Sequence, residues 1–247
     1  MRLGFDLDGT VADLQGALAL EARRLFPDVD PGTLPKSIAP QPETPAPKDQ
    51  SHVPGFSMSA LSSRQQRELW EAACARENFW ETLQEIEPGS LARLSRIVRE
   101  RRWEVIFLTS RPETRGDTAQ AQSHRWLTAC GFELPSVYVV HGSRGKIASS
   151  LNLDVLVDDR PENCLDIAID SSARAILVWR SAEDAVPGSA RQLGIGSVGS
   201  IAECLDILES LDRGDEGTGI VDRFKQLLGL KRAPRRASVQ VQAPAPQ

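Results

Sequence analysis

At 247 residues the chain can bury one sizeable core, with room for a smaller second unit. Hydrophobic residues make up 40% and charged residues 26%, ordinary for a globular protein, and the formal net charge of -5 argues against a nucleic-acid-binding surface. Cys74, Cys130, Cys164 and Cys204 form no CxxC pair, which excludes a zinc site or disulfide framework of the usual spacing. Met1 to Phe5 leads directly into an apolar run without a signal-peptide pattern, and no window approaches the ~20 apolar residues of a membrane span. A reducing, cytoplasmic setting is the expectation.

The opening stretch, Leu3 to Asp13, delivers Asp6 and Asp8 into a Gly9-Thr10 turn. Residues two apart on a strand point the same way, so both carboxylates can face one pocket. Like charges held that close call for a cation, a shared proton or an electrophile between them. Residues 13–25 read as a helix with Asp13 as N-cap. Residues 27–56 carry eight prolines and no helical or strand period, so a long loop is expected. Helical texture returns over 59–86, where Phe79, Trp80 and Leu83 cluster before Pro88-Gly89, and Leu91, Leu94, Ile97 and Val98 mark a helix over 90–101.

Val105 to Leu108 is a continuous apolar run, as in a strand buried on both faces, and it ends in Thr109-Ser110-Arg111-Pro112. A helix over 114–130, stopped by Gly131, leads to a strand at Val137–Val140 and a short helix at Ile147–Leu151. The run at 154–157 ends in Asp158-Asp159-Arg160-Pro161. A helix over 164–171, a strand over 174–179 and a closing helix over 198–211 complete the pattern. Alternating strands and helices predict an α/β fold, a Rossmann-like, doubly wound parallel sheet. Beyond it, 213–247 reads as a linker, a short amphipathic helix over 220–230 and a basic, Pro/Gln-rich end.

Ligands of open α/β sheets bind outside the carboxyl ends of the strands. Asp6, Asp8, Thr109, Ser110, Asp158 and Asp159 stand at those ends, and Lys146 lies just past another. Carboxylates in that number suit a hard divalent cation, most readily Mg2+, while a lysine and hydroxyls suit a phosphate dianion.

With Asp6-Leu7-Asp8-Gly9-Thr10, Thr109, Lys146 and Asp158-Asp159 in that order, the chain resembles the haloacid dehalogenase (HAD) superfamily of aspartate-dependent phosphohydrolases over residues 1–211. The resemblance implies a HAD-like core at 1–12 and 87–212, a helical cap at 13–86 and a Mg2+-dependent phosphomonoester hydrolase. It makes Asp6 the nucleophile that forms an aspartyl-phosphate and Asp8 the general acid and base. Thr109, Ser110 and Lys146 would grip the phosphoryl group, Lys146 also restraining Asp6. The metal would rest on Asp6, the Asp8 backbone carbonyl and Asp159, with Asp158 bound through water or orienting its neighbour.

The layout is similar to the 5'(3')-deoxyribonucleotidase-like branch, which has a small helical cap. That similarity implies a nucleoside monophosphate, with Phe56, Trp70, Phe79 and Trp80 as candidates to stack on the base. Aromatic rings at such spacing also pack a cap core. Arg111 and Arg160, placed near the rim, leave a more anionic small metabolite such as a sugar phosphate as the alternative. A phosphate-binding module recruited through the C-terminal tail is the non-enzymatic reading.

Overall fold

The computed structural model describes residues 1–27, 58, 61–180 and 187–213. The Pro-rich segment with Phe56, and the tail helix expected over 220–230, lie outside those residues. The chain runs β1 (Arg2–Asp6), α1 (Leu14–Leu25), α2 (Ser63–Ala75), a 3-10 turn (Phe79–Thr82), α3 (Ser90–Arg101), β2 (Glu104–Thr109), α4 (Ala119–Ala129) and β3 (Ser136–Val139). Then come α5 (Arg144–Ser150), β4 (Val155–Asp158), α6 (Pro161–Asp170), β5 (Arg174–Val178), α7 (Gly188–Gln192), β6 (Gly196–Val198) and α8 (Ile201–Arg213). The six strands form one sheet in the order β3-β2-β1-β4-β5-β6. Every pairing is parallel, with Asp6 beside Leu108 and Asp158 beside Leu177. Among the described residues no helix is long and apolar enough to cross a membrane.

Strand periodicity divides the core into two layers. Leu3, Phe5, Phe107, Val155, Val157 and Ile176 pack under α3, α4 and α8 on one face. Leu108, Leu156, Ala175 and Leu177 pack under α5, α6 and α7 on the other. Both faces being covered is what makes the strands continuous apolar runs rather than alternating ones. The chain leaves β1 toward β2 and β3 on one side and reaches β4, β5 and β6 on the other, so the strand order reverses between β1 and β4. Such a reversal opens a crevice at the carboxyl ends.

The insert between β1 and α3 is closed at its base by backbone pairing. Asp13 N–H donates to Gln84 O and Ile86 N–H to Val11 O, each at 2.9 Å. The expected helical region over 59–86 resolves into α2 and the 3-10 turn. Arg76, extended at ψ 129°, ends α2, and Asn78, in the left-handed region at φ 49°, leads into the 3-10 turn. The short pieces α7 and β6 were not expected; five and three residues are too few to carry a period.

Candidate active site

β1 ends at Asp6, and the chain turns at once. Gly9 takes φ 87°, a left-handed conformation that glycine adopts without the Cβ penalty, and Val11 and Ala12 N–H both close on Leu7 O at 2.9 and 2.8 Å. Arg180, just past β5, braces this loop by donating to Gly9 O at 2.7 Å and Thr10 O at 2.9 Å, with Glu87 as its counter-ion at 2.9 Å. The turn therefore holds two buried carboxylates, Asp6 and Asp8, at the crevice.

Asp6 faces Arg144, whose Nη2 donates to Asp6 Oδ1 at 2.8 Å and to Ser110 Oγ at 3.2 Å. Arg144 Nε also stands 3.9 Å from Asp158 Oδ2. Arg144 is buried, and its Nη1 has no hydrogen-bond partner. A buried guanidinium donor without an acceptor is costly, so that nitrogen marks a place where an anion is favoured. The helix start fixes this arrangement. Ser143 caps α5, placing Arg144 in its first turn, and Gly145 lets α5 lie directly against α6, since a Cβ there would overlap the Asp166 carbonyl.

Lys146, expected to hold the phosphoryl group and restrain Asp6, is exposed instead. What it gives the structure among the described residues is its backbone N–H, donated to Ser143 Oγ at 3.1 Å. Arg144, two positions earlier, is the basic side chain bonded to Asp6, because two residues along a helix turn a side chain to nearly the opposite face.

Asp158 is wholly buried, and its oxygens accept from Arg160 N–H at 2.9 Å and from Asn163 Nδ2 at 3.1 and 2.9 Å. Asp159 is partly buried and accepts from Thr10 Oγ1 at 3.2 Å. Burial, joined by the charge of Asp158, pushes Asp6 and Asp159 well above the usual carboxylate range. Burial also lifts Asp158 to about 6, against Arg144, the Arg160 N–H and the Asn163 amide. A cluster in which carboxylates raise one another is short of positive charge, and a hard cation complements it. Among the described residues no three His, Cys, Asp or Glu side chains form a metal-holding group on their own, so backbone or external oxygens would have to complete such a site.

Asp8 is committed differently. Thr109 donates to its Oδ2 at 3.1 Å, and Arg111 grips it with Nε at 3.0 and 2.9 Å and Nη2 at 2.7 Å. Thr109 is thus turned to Asp8, while Ser110, the more exposed hydroxyl, meets Arg144. Arg111, expected near the rim, is 2% exposed and points inward. Arg160 is partly buried and serves the Asp158 carboxylate through its backbone.

The candidate stacking rings divide as follows. Phe79 and Trp80 are each 1% exposed and pack edge to face at 5.0 Å, leaving no open face for a base. Trp80 is pinned by bonds from its N–H to Gln122 Oε1 at 3.1 Å and from Nε1 to Pro112 O at 3.0 Å. Trp70 is half-buried against the main core.

Sequence reasoning missed Arg144 and misjudged Arg111. The available signal was position: Arg144 follows a capping serine, and Arg111 follows the last residues of a buried strand.

No family model and no curated protein matches the sequence. Solved structures do match. A Thermotoga maritima protein assigned as a beta-phosphoglucomutase is 17% identical over 85% of this chain and 99% of its own, with a TM-score of 0.51. A HAD family hydrolase of Deinococcus radiodurans R1, solved with bound phosphate and sodium, is 15% identical over 86% of this chain and 96% of its own, also with a TM-score of 0.51. The doubly wound sheet and its flanking helices are therefore a HAD-like fold, shared with proteins only 15% and 17% identical in sequence.

Proposed function

We propose that the chain is a phosphomonoester hydrolase that works through an aspartyl-phosphate on Asp6. The observation that carries this reading is the pairing of buried Asp6 with Arg144, whose second nitrogen is left without an acceptor. A nucleophilic carboxylate and an anion-seeking guanidinium side by side fit a phosphoryl group whose phosphorus meets Asp6 while its oxygens meet Arg144 and Ser110.

In the first step an Asp6 oxygen bonds to phosphorus as the ester P–O bond breaks, and Asp8 gives the leaving oxygen its proton. In the second, Asp8 takes a proton from water, whose oxygen attacks phosphorus and releases phosphate, regenerating the Asp6 carboxylate. Mg2+ fits the donor set: Asp6, the Asp8 backbone carbonyl and Asp159 would hold it, with Asp158 orienting its neighbour. When bound it neutralises charge between carboxylate and phosphate. Asp158, already engaged by Asn163 and the Arg160 N–H, suits the orienting role better than direct ligation.

For the substrate, a small phosphorylated metabolite of the sugar phosphate type is the better-supported class. The nucleoside monophosphate reading calls for rings free to stack, and of the candidates among the described residues Phe79 and Trp80 are packed away while Trp70 is half-buried. The solved structure assigned as a beta-phosphoglucomutase points the same way. The test is phosphate release from a panel of sugar phosphates and nucleoside monophosphates with Mg2+. Turnover with a sugar phosphate preference supports both parts. A nucleotide preference overturns the substrate, and full activity of Asp6→Asn overturns the chemistry.

A further inference from the structure

Arg111 is 2% exposed, and each of its three guanidinium nitrogens donates to one of two residues. Nε and Nη2 form a fork on both oxygens of Asp8 at 2.7–3.0 Å, and Nη1 donates to Ser123 Oγ at 2.8 Å. Ser123 donates its own O–H to Ala119 O at 2.6 Å, anchoring the far side of the guanidinium to α4. The cation also sits against two indoles, 4.8 Å from the Trp80 ring centroid and 5.7 Å from that of Trp126. Both indoles are themselves pinned, Trp126 by Nε1 to Leu83 O at 2.9 Å and Trp80 as described above. A planar fork fixed along its edge and across its face leaves the carboxylate it grips one orientation.

We infer that Arg111 is a positioning residue that fixes the Asp8 carboxylate as the base that takes the proton of the attacking water, and that Trp80 and Trp126 hold Arg111 in place for this purpose. The inference deepens the proposed phosphohydrolase reading and rests on it for the role of Asp8. It gives the 3-10 turn a function other than substrate contact: Trp80 acts on the chemistry through Arg111, from behind the site. A catalytic base displaced by about 1 Å loses on the order of 100-fold in rate, so the grip is worth that much in kcat.

The test compares Arg111→Met, Arg111→Lys, Asp8→Asn and the double variant Asp8→Asn/Arg111→Met, using p-nitrophenyl phosphate and Mg2+. Arg111→Met should lower kcat about 100-fold with KM within about twofold. Arg111→Lys, which keeps the charge but not the fork and is the gentler change for folding, should fall between it and the parent. The double variant should be no slower than Asp8→Asn alone, because a residue acting through Asp8 has nothing left to act on. A raised KM, or a further loss in the double variant, overturns the inference by showing that Arg111 acts on substrate or fold. Crystal structures of the parent and Arg111→Lys decide the matter independently of turnover. Asp8 should change orientation in the variant, and an unchanged carboxylate overturns positioning. Inactive parent protein with a displaced Asp8 would instead count against the hydrolase reading alone.

Discussion

Replacing Arg144 and Lys146 separately by Met sets two basic residues of one helix against each other. Arg144 is 5% exposed and bonded to Asp6 at 2.8 Å and Ser110 at 3.2 Å, while Lys146 is exposed. Removing one partner of a buried ion pair costs roughly 3–5 kcal/mol. Asp6 and Asp158 have raised proton affinity and can neutralise themselves in part, which puts Arg144→Met near the lower end, about 3 kcal/mol at neutral pH. That loss should shrink as pH falls through about 6, where Asp158 takes up its proton. The loss of a preorganised donor for the phosphoryl oxygens should cost about 100- to 1,000-fold in kcat. Lys146→Met should change stability by no more than about 0.5 kcal/mol and leave activity within about twofold. Urea unfolding followed by circular dichroism gives the first quantity, and initial rates on p-nitrophenyl phosphate with Mg2+ give the second. An inactive Lys146→Met beside an active Arg144→Met would refute the assignment.

Three further outcomes follow from the same geometry. Asp158 titrates near 6 when folded and near 3.8 when unfolded, so between those values only the folded state keeps its proton. Stability of the metal-free protein should fall as pH rises from 4 to 6, by about 3 kcal/mol from this group, and Asp158→Asn should make that slope shallower in urea titrations, leaving the part that Asp6 and Asp159 contribute. Gly145→Ala would drive a methyl into the Asp166 carbonyl and push α5 off α6. Its kcat should fall with that of Arg144→Met, measured on p-nitrophenyl phosphate, although residue 145 carries no reactive group. The fully buried Cys164 and Cys204 should react with an aromatic disulfide reagent at pH 8 only after denaturation, and the half-buried Cys130, its thiol pushed up to about 11 by burial, should react slowly before it.

The sheet was legible because its strands are buried on both faces. Val105 to Leu108 and Val155 to Val157 are uninterrupted apolar runs, and each ends in the polar residues that the topology gathers at one edge. Asp6, Asp8, Thr109, Asp158 and Asp159 could be picked out for the same reason. The division of labour among the cations was not legible. Residue type favoured Lys146, but a helix turns 100° per residue, so two positions decide whether a side chain meets Asp6 or solvent. Arg111 carries no mark of its inward path, because the partners that bury it, Ser123, Trp80 and Trp126, come from distant parts of the chain. The rings of Phe79 and Trp80 suit stacking on a base or packing on a helix equally well until α4 is placed beside them.

Asp6 is the proposed nucleophile, and covalent trapping tests that directly. Full-length protein turning over a phosphomonoester with Mg2+ is quenched in acid, treated with borohydride and digested for mass spectrometry. Reduction of an aspartyl-phosphate leaves homoserine, which is expected at position 6, with none in Asp6→Asn. Rapid phosphate release with Asp6 unmodified, or with the label on another carboxylate, would contradict it.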